Sequence, residues 1–348
     1  MTNSETCHKQ RAVVMMPEEK QMTKVIAIFR QRGQEALEFA RQTVQQEEVE
    51  FKPLREALQY FMESWEDVLH PALVSIACEA VGGNPDSTTQ LSAAIVLIAG
   101  GADVHDDIID QSVTKGSKPT VFGKFGKDIA ILAGDALLLK GAYVLHEACE
   151  ALPKNKRQEI LKIIKQAFFE VSGAEAKEAS FRGRLDLSGQ EYLDIMRCKV
   201  AAGEASTRIG AIVGDGTSAE VEVLGHYGRT FGVLMTIRDE FIDMFEPEEL
   251  KNRAERECLP LPILLTFRDA SKKYKILQLL KEEITEDAVD KILDVVLASK
   301  EAGDLKDEMK RLIQEERQRI TGVKNCEEML KFWIDSTLED IWNSVFDK

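Results

Sequence analysis

Hydrophobic residues recur three and four positions apart along almost the whole chain, as expected for helices that bury one face. Val25, Ile28 and Phe29 show this spacing near the start, and Leu277 and Leu280 show it near the end. The alternation of polar and hydrophobic residues that is typical of half-buried β-strands is nearly absent. The pattern therefore predicts an all-α protein.

Short turn segments interrupt the helical pattern. Residues 82–85, 152–155 and 214–216 combine glycine, proline, asparagine and aspartate, which favour turns between helices. No glycine- and serine-rich linker, low-complexity run or sharp change of composition divides the chain. We predict roughly ten or more helices packed as one large helical domain over residues 17–348, preceded by a flexible N-terminal segment over residues 1–16.

Composition and charge exclude several classes of function. The chain has 348 residues, of which 44% are hydrophobic, and it can therefore bury a substantial core. Its formal net charge of −15 argues against nucleic acid or an anionic membrane surface as the main partner. A local basic pocket for an anionic substrate stays compatible with that charge. The longest apolar run, residues 91–104, is too short to span a bilayer, so we predict a buried core helix and no stable membrane span.

Cysteine usage and the first residues bear on the cellular compartment. The six cysteines are scattered and include no CxxC pair, which is typical of reduced thiols and not of a disulfide framework or a zinc site. The first residues lack the long apolar stretch of a signal peptide. We therefore expect a cytoplasmic protein.

The first acidic motif ends the most apolar helix that the sequence predicts. Asp106 and Asp110 are four positions apart and share a helix face, with Asp107 about 100° round the helix. Carboxylates in a last turn oppose the negative end of the helix dipole, so three of them are unfavourable unless a cation lies among them. Taken alone, such a motif is equally compatible with a solvated cap after a core helix.

A second acidic motif lies inside the apolar stretch over residues 231–245. Asp239 and Asp243 again share a helix face, and Glu240 lies beside Asp239. Carboxylates among hydrophobic neighbours need a compensating partner. If the two helices face each other, the acids form an all-oxygen site that suits Mg²⁺, which typically takes phosphate oxygens as further ligands. The two motifs therefore predict a site that binds a diphosphate through metal ions and stabilises it as a leaving group.

With these motifs, the chain resembles the trans-isoprenyl diphosphate synthase family, also called the polyprenyl synthetases, over roughly residues 50–265. The further matching segments are residues 118–121, 132–138, 192–199 and 227–229. The chain is similar to geranylgeranyl and polyprenyl diphosphate synthases, as a divergent member. The resemblance implies the isoprenoid synthase fold, a large helical bundle with a deep central cavity, usually as a homodimer.

The resemblance also implies a reaction. In this family an allylic isoprenoid diphosphate lies on three Mg²⁺ ions held by the two motifs, its C–O bond breaks, and isopentenyl diphosphate attacks the allylic cation. The residues that match the family's metal ligands are Asp106, Asp107, Asp110, Asp239 and Asp243, with Glu240 in place of a usual aspartate. We expect catalytic roles for Asp106, Asp107, Asp110, Asp239 and Lys199.

Other residues match the family's contacts to its substrates. Lys199 matches the lysine that contacts the allylic diphosphate. Lys115 matches the first arginine of the family's Arg-Arg-Gly, and it keeps the charge but loses the bidentate fork. Thr236 stands where a glutamine usually precedes the second motif, and Lys251 or Arg253 replaces the lysine of a later Gly-Lys loop.

The pocket for isopentenyl diphosphate departs from the family's pattern. The lysine and arginine of the family's Gly-Gly-Lys-x-x-Arg segment are Asp67 and His70, the second arginine of Arg-Arg-Gly is Gly116, and the His or Gln before the first motif is Ala99. An acid in place of a lysine would repel a diphosphate, whereas His70 keeps a hydrogen-bond donor. Either other residues bind the acceptor diphosphate, or the acceptor is not isopentenyl diphosphate.

Three functions are compatible with a chain that keeps the two aspartate motifs but loses the family's contacts to isopentenyl diphosphate. The one we favour is a Mg²⁺-dependent prenyltransferase that transfers an allylic group to isopentenyl diphosphate or another acceptor. The second is a class I terpene synthase, in which cyclisation or water capture follows ionisation without elongation. The third is a non-catalytic subunit that forms a heteromer with a catalytic homologue, but that role predicts loss of the aspartates, which are intact.

Five further residues have both a functional and a structural interpretation. Gly101, five positions before the first motif, matches the position that sets chain length in the family, but close helix packing also selects a small residue. Asp103 either joins the acidic cluster or pairs with a base. For His105 we favour a packing or capping role, and for Arg182 and Arg184 a salt bridge.

Overall fold

The computed structural model describes residues 19–116, 118–184, 186–281 and 283–338, and most of them lie in helices. The prediction of an all-α fold is confirmed, whereas the predicted flexible segment over residues 1–16 lies outside the described residues. The helices are α1 (Glu19–Gln45), α2 (Lys52–Ser64), α3 (Leu69–Ala80), α4 (Thr89–Ile109), α5 (Val121–Phe125), α6 (Lys127–Glu150), α7 (Lys154–Ala179), α8 (Gly189–Lys199), α9 (Ala201–Val213), α10 (Ser218–Asp243), α11 (Pro247–Arg256), α12 (Leu261–Thr266), α13 (Ala270–Leu279), α14 (Glu286–Leu297), α15 (Lys300–Arg319) and α16 (Glu327–Ser336).

Two short strands interrupt the helices. Strands β1 (Thr114–Lys115) and β2 (Lys118–Pro119) pair antiparallel directly after α4. Gly116 between them has a φ of 57°, which glycine adopts without steric strain. The hairpin therefore places Lys115 beside the end of α4.

Capping boxes begin the two helices that carry the later half of the matching segments. Ser188 accepts a hydrogen bond from the Glu191 backbone N–H, and the Glu191 carboxylate accepts one from the Ser188 backbone N–H. Thr217 and Glu220 form the same arrangement at the start of α10. Such reciprocal bonds satisfy N–H groups that a helix start leaves without partners. Because α10 ends at Asp243, the second acidic motif occupies its last turns.

Glycines allow the central helices to cross closely. An added Cβ at Gly101 of α4 would lie 2.8 Å from the Gly134 carbonyl oxygen of α6, and one at Gly228 of α10 would lie 2.4 Å from the Gly203 carbonyl oxygen of α9. Contacts below about 3.0 Å force the backbones apart. The small residues therefore hold α4 against α6 and α10 against α9.

The first and last described helices, α1 and α16, pack together beside α10. Trp333 of α16 is fully buried, and its ring centroid lies 4.6 Å from that of Phe29 in α1, with the two planes nearly perpendicular. Phe29 also makes an edge contact with Phe231 of α10, at 6.1 Å between centroids. Such aromatic contacts fix α10, and with it the second motif, inside the bundle.

One described helix, α6, is long and apolar enough by length and composition to cross a bilayer. The apolar run over residues 91–104, for which we predicted a buried core helix, lies in α4, where most of its side chains are buried. In α6, by contrast, Leu132, Leu139 and Tyr143 share one face and are 51%, 74% and 54% exposed. The described part of α6 therefore presents an uncovered apolar face.

Candidate active site

The first acidic motif lies at the C-terminal end of α4, as predicted. Asp106 and Asp107 are in the last turn, and Asp110 is the residue that caps the helix. One oxygen of Asp106, Oδ1, is buried and has no hydrogen-bond partner within the described part of the chain. A buried carboxylate oxygen without a donor is costly. Asp106 is therefore the residue of this motif that is best prepared for a cation or a ligand.

Lys115 neutralises the side of this motif that faces the hairpin. Its ammonium group lies 2.6 Å from Asp103 Oδ1 and 3.0 Å from Asp107 Oδ1. Burial raises the pKa of Asp107 to about 6, although Lys115 opposes the shift. Asp103 therefore pairs with a base, which is one of the two roles that the sequence left open for it. Lys115 in turn forms ion pairs with two carboxylates.

Arg182 neutralises the other end of the motif through an ion pair with Asp110. Burial raises the pKa of Asp110 in spite of this guanidinium. Arg184 pairs with Asp186, at 3.0 Å between Nε and Oδ1, and His105 Nε2 lies 3.2 Å from the Ile131 carbonyl oxygen. The predicted salt bridges and the predicted packing role of His105 are therefore confirmed.

The second motif is held by Arg253 of α11. The buried Glu240 carboxylate accepts hydrogen bonds from Arg253 Nη2 at 2.8 Å, from the Tyr192 hydroxyl at 3.0 Å and from the Leu261 backbone N–H at 2.7 Å. Arg253 Nη1 donates to Asp243 Oδ2 at 2.7 Å. Both oxygens of Glu240 thus accept hydrogen bonds from protein donors, and its predicted role as a metal ligand stays a prediction.

The other residues of the second motif are more accessible. Burial raises the pKa of Asp243 to about 7, and Arg253 opposes the shift. Asp239 has a 60% exposed side chain and pairs with Arg238 at 3.2 Å. Thr236, one turn before the motif, donates its hydroxyl to the Gly232 carbonyl oxygen at 3.0 Å.

Lys199 at the end of α8 is embedded among carboxylates. Its ammonium group lies 2.5 Å from Glu178 Oε2 and 3.1 Å from Glu175 Oε2. Burial would lower the pKa of Lys199, but the two glutamates outweigh it and raise that pKa. Burial raises the pKa of Glu175 to about 7. The sequence gave no sign of these glutamates, because helix α7 brings them to Lys199 only in the folded chain.

The two motifs and Lys199 border a small polar pocket of about 150 Å³. Three cationic and five acidic side chains line it, together with Thr236, Tyr192 and Met196. The charged residues are Arg182, Lys199 and Arg253, and Asp106, Asp110, Glu178, Glu240 and Glu257. Its two guanidinium groups and one ammonium group are donors that suit phosphate oxygens.

A larger apolar cavity of about 590 Å³ lies next to the polar pocket. Helices α4, α7 and α9 supply most of its wall, and Trp65, Glu66, Asp67 and His70 close one part of it. Asp106 and Lys199 line both the cavity and the polar pocket. The two spaces therefore meet at these two side chains.

The cavity lining includes several of the predicted site residues. Asp67, His70 and Ala99, which stand where the family binds its acceptor diphosphate, all line the cavity. Gly101 does not line it, because this residue faces Gly134 and Leu138 of α6. The alternative interpretation of Gly101, close helix packing, is the one that the structure supports.

The donor set fits a divalent metal ion that is completed by a ligand. Among the described residues, no three His, Cys, Asp or Glu side chains lie close enough together to hold a metal ion by themselves. Mg²⁺ commonly takes only one or two carboxylates and completes its shell with substrate phosphates and water. The unpartnered Asp106 Oδ1 provides such an oxygen at the edge of the polar pocket.

Fold and site together define a class of protein: a helical bundle in which a small, highly charged pocket meets an apolar chamber. The polyprenyl synthetase family matches residues 51–296. A short chain isoprenyl diphosphate synthase from Methanothermobacter thermautotrophicus is 31% identical over 233 residues, which are 66% of this chain and 69% of that protein. A geranylgeranyl diphosphate synthase from Sulfolobus acidocaldarius is 30% identical over 66% of this chain and 68% of its own length.

Solved structures show the same fold. The geranylgeranyl pyrophosphate synthetase of Pyrococcus horikoshii superimposes with a TM-score of 0.81 at 23% identity, over 92% of this chain and 99% of that one. The polyprenyl synthase of Caulobacter crescentus, solved with calcium and isoprenyl diphosphate, gives a TM-score of 0.70 at 18% identity, over 92% and 94%. This chain belongs to the polyprenyl synthetase family. It is a trans-prenyltransferase of a family that depends on Mg²⁺.

Proposed function

We propose that the chain ionises an allylic isoprenoid diphosphate whose diphosphate occupies the polar pocket and whose hydrocarbon tail lies in the apolar cavity. The observation that carries this proposal is the position of Asp106 and Lys199, which line both spaces. A substrate with an anionic head joined to a long apolar tail matches that junction. The allylic C–O bond, which links the two parts, then lies beside these side chains.

The basic residues of the pocket provide the binding charge. Lys199, Arg182 and Arg253 are each paired with carboxylates in the described structure. An incoming diphosphate gives these three side chains new oxygen partners. The carboxylates of Asp110 and Glu178 then lose their ion pairs and become available to bound metal ions. When bound, Mg²⁺ neutralises the diphosphate and stabilises it as a leaving group. We assign the metal-holding role to Asp106, Asp107, Asp110, Asp239 and Asp243, for as many as three ions.

The cavity wall offers an apolar surface to the hydrocarbon tail. Ile95, Ile98, Ile164, Phe168 and Val171 supply this surface. Such a wall binds an isoprenoid tail by burying apolar area and separates the cation formed at its mouth from bulk solvent. A cavity of about 590 Å³ lies within the range of natural ligand pockets, about 300–1,000 Å³.

Diphosphate release tests this function. The purified chain is incubated with farnesyl or geranylgeranyl diphosphate and Mg²⁺, and released diphosphate is measured. We expect Asp106→Ala to lower the rate by about 10²-fold or more, because a group that acts at the leaving oxygen is lost. Asp304→Ala removes a 60% exposed aspartate of α15 and serves as the matched control with unchanged rate. Equal rates in both variants contradict the assignment.

We also propose that the chain works as a homodimer through α6. The support is the exposed stripe of Leu132, Leu139 and Tyr143, together with Phe169 of α7, which is 71% exposed. Apolar patches of this kind mark association surfaces in soluble proteins. A homologous chain could use the same surface, and release of diphosphate only after addition of such a homologue would identify a heteromer.

A further inference from the structure

His70 and Asp67 form a hydrogen-bonded pair in the wall of the apolar cavity. His70 Nδ1 lies 2.8 Å from Asp67 Oδ2, and the His70 backbone N–H donates to Asp67 Oδ1 at 3.2 Å. Asp67 is nearly buried, with 7% of its side chain exposed. Two bonds to one carboxylate fix the orientation of the ring. The pair lies at the start of α3, whose first turn also contains Pro71, a position where a helix tolerates proline.

This pairing decides which ring nitrogen is available. Because the Asp67 carboxylate accepts the Nδ1 proton, the neutral imidazole carries its lone pair on Nε2. No described residue makes a hydrogen bond to Nε2, and both members of the pair line the cavity. Burial lowers the pKa of His70, but the charge and hydrogen bond of Asp67 outweigh it and raise that pKa. A carboxylate that orients a histidine and stabilises its protonated form is the arrangement of a general base.

A second polar group in the same wall has no partner among the described residues. The Trp65 indole Nε1 is buried without an acceptor from them, and Trp65 and His70 both line the cavity. A buried donor of this kind is satisfied when a ligand brings an oxygen to it. A hydroxyl group accepts one hydrogen bond and donates another, so it matches Trp65 N–H and His70 Nε2 together.

The charges around the pair disfavour a diphosphate acceptor. Five carboxylates line the cavity: Glu66, Asp67, Asp103, Asp106 and Glu175. Among the described residues of that lining, Lys199 is the only cation apart from His70, and the proposed function already assigns it to the allylic diphosphate. A second diphosphate would therefore meet carboxylates and no further lysine or arginine in the described lining, whereas an uncharged acceptor avoids this repulsion.

We infer that the cavity accepts an uncharged hydroxyl compound, water or an alcohol, and that His70 Nε2 takes its proton. This inference rests on the proposed ionisation. The allylic C–O bond breaks, and its electron pair leaves with the diphosphate. A lone pair of the hydroxyl oxygen forms the new C–O bond, the O–H bond breaks, and the proton passes to Nε2. The products are inorganic diphosphate and a prenyl alcohol or prenyl ether.

The experiment compares acceptors at one allylic substrate. The full chain is given geranylgeranyl diphosphate and Mg²⁺ in oxygen-18 water, alone, with isopentenyl diphosphate, or with isopentenol, the uncharged alcohol of that diphosphate. Released diphosphate and organic products are both quantified. We expect geranylgeraniol that carries the heavy oxygen, which identifies water, or a geranylgeranyl isopentenyl ether, which identifies an alcohol. A diphosphate product longer by five carbons, with no oxygenated product, overturns the inference and leaves the proposed ionisation standing.

The role of His70 is tested by the amount of oxygenated product formed per released diphosphate, a ratio that does not depend on how much of the protein is folded. In His70→Gln, we expect oxygenated product per released diphosphate to fall roughly tenfold or more, because the base is lost. His146→Gln, an exposed histidine outside the cavity lining, is the control with an unchanged ratio. An unchanged ratio in His70→Gln overturns the base assignment. Absence of any diphosphate release from the unmodified chain overturns the proposed function, and the inference with it.

Discussion

At the scale of single residues, Arg253 is the group on which the second motif depends. It is 7% exposed at its side chain and bonds Glu240, Asp243, the Tyr192 hydroxyl and the Cys258 carbonyl oxygen. The pKa of Asp243 is raised by burial even with this guanidinium present. Without it, Glu240 would be a buried carboxylate with no charge to offset it.

We expect Arg253→Met to lower the free energy of unfolding by about 3–5 kcal/mol, because removing one partner of a buried ion pair leaves the other uncompensated. Urea unfolding measures the loss. Arg256→Met changes an exposed arginine of the same helix and should stay within about 0.5 kcal/mol of the unmodified chain. In the double variant with Glu240→Gln, part of the loss should be recovered. Equal losses for the two single variants argue against this role of Arg253.

At the scale of secondary-structure elements, the crossing of α4 and α6 separates two neighbouring small residues. Gly101 faces α6, where an added Cβ would lie 2.8 Å from the Gly134 carbonyl oxygen and 3.0 Å from the Leu138 backbone nitrogen. Ala102, the next residue, lines the cavity. Two adjacent residues of α4 therefore differ in their surroundings: Gly101 packs against α6, and Ala102 forms part of the cavity wall.

This separation predicts different outcomes for two phenylalanine substitutions. Gly101→Phe should destabilise the fold by about 1–3 kcal/mol or more, because the ring overpacks a close helix crossing. Ala102→Phe places its ring in the chamber and should shift the preference from geranylgeranyl toward farnesyl diphosphate with a smaller loss of stability. Thermal unfolding and diphosphate release with both substrates check the pair. If only Gly101→Phe shifted the substrate preference toward farnesyl diphosphate, Gly101 and not Ala102 would be the residue that limits chain length.

At the scale of the whole molecule, the exposed face of α6 is the surface through which we propose that two copies of the chain associate. Leu139 is 74% exposed at the centre of the stripe that Leu132 and Tyr143 complete. A charge placed there would have to be buried in an apolar interface. We expect Leu139→Glu to convert a dimer into a monomer, as measured by sedimentation equilibrium. Tyr274→Glu alters a 68% exposed apolar residue of α13 and should leave the dimer intact. A monomeric unmodified chain would contradict the proposal.

The amino-acid sequence by itself determined the fold class and the two aspartate motifs that we propose to take part in ionisation of the allylic diphosphate. Helical spacing of hydrophobic residues is local along the chain, so the all-α fold follows from it. The four-residue spacing of Asp106 and Asp110, and of Asp239 and Asp243, places each pair on one helix face before any tertiary contact forms. The metal-binding role of these aspartates was therefore predictable and stays a prediction.

Only the tertiary structure decided the partners of these residues. Glu240 shares a motif with Asp239, yet only folding brings Tyr192 and Arg253 to its carboxylate. Gly101 and Ala102 are adjacent, yet only the crossing with α6 separates their roles. The glutamates that hold Lys199 come from α7, more than twenty positions away in the case of Glu178. Such contacts depend on how helices pack, and packing is set by side chains far apart in the sequence.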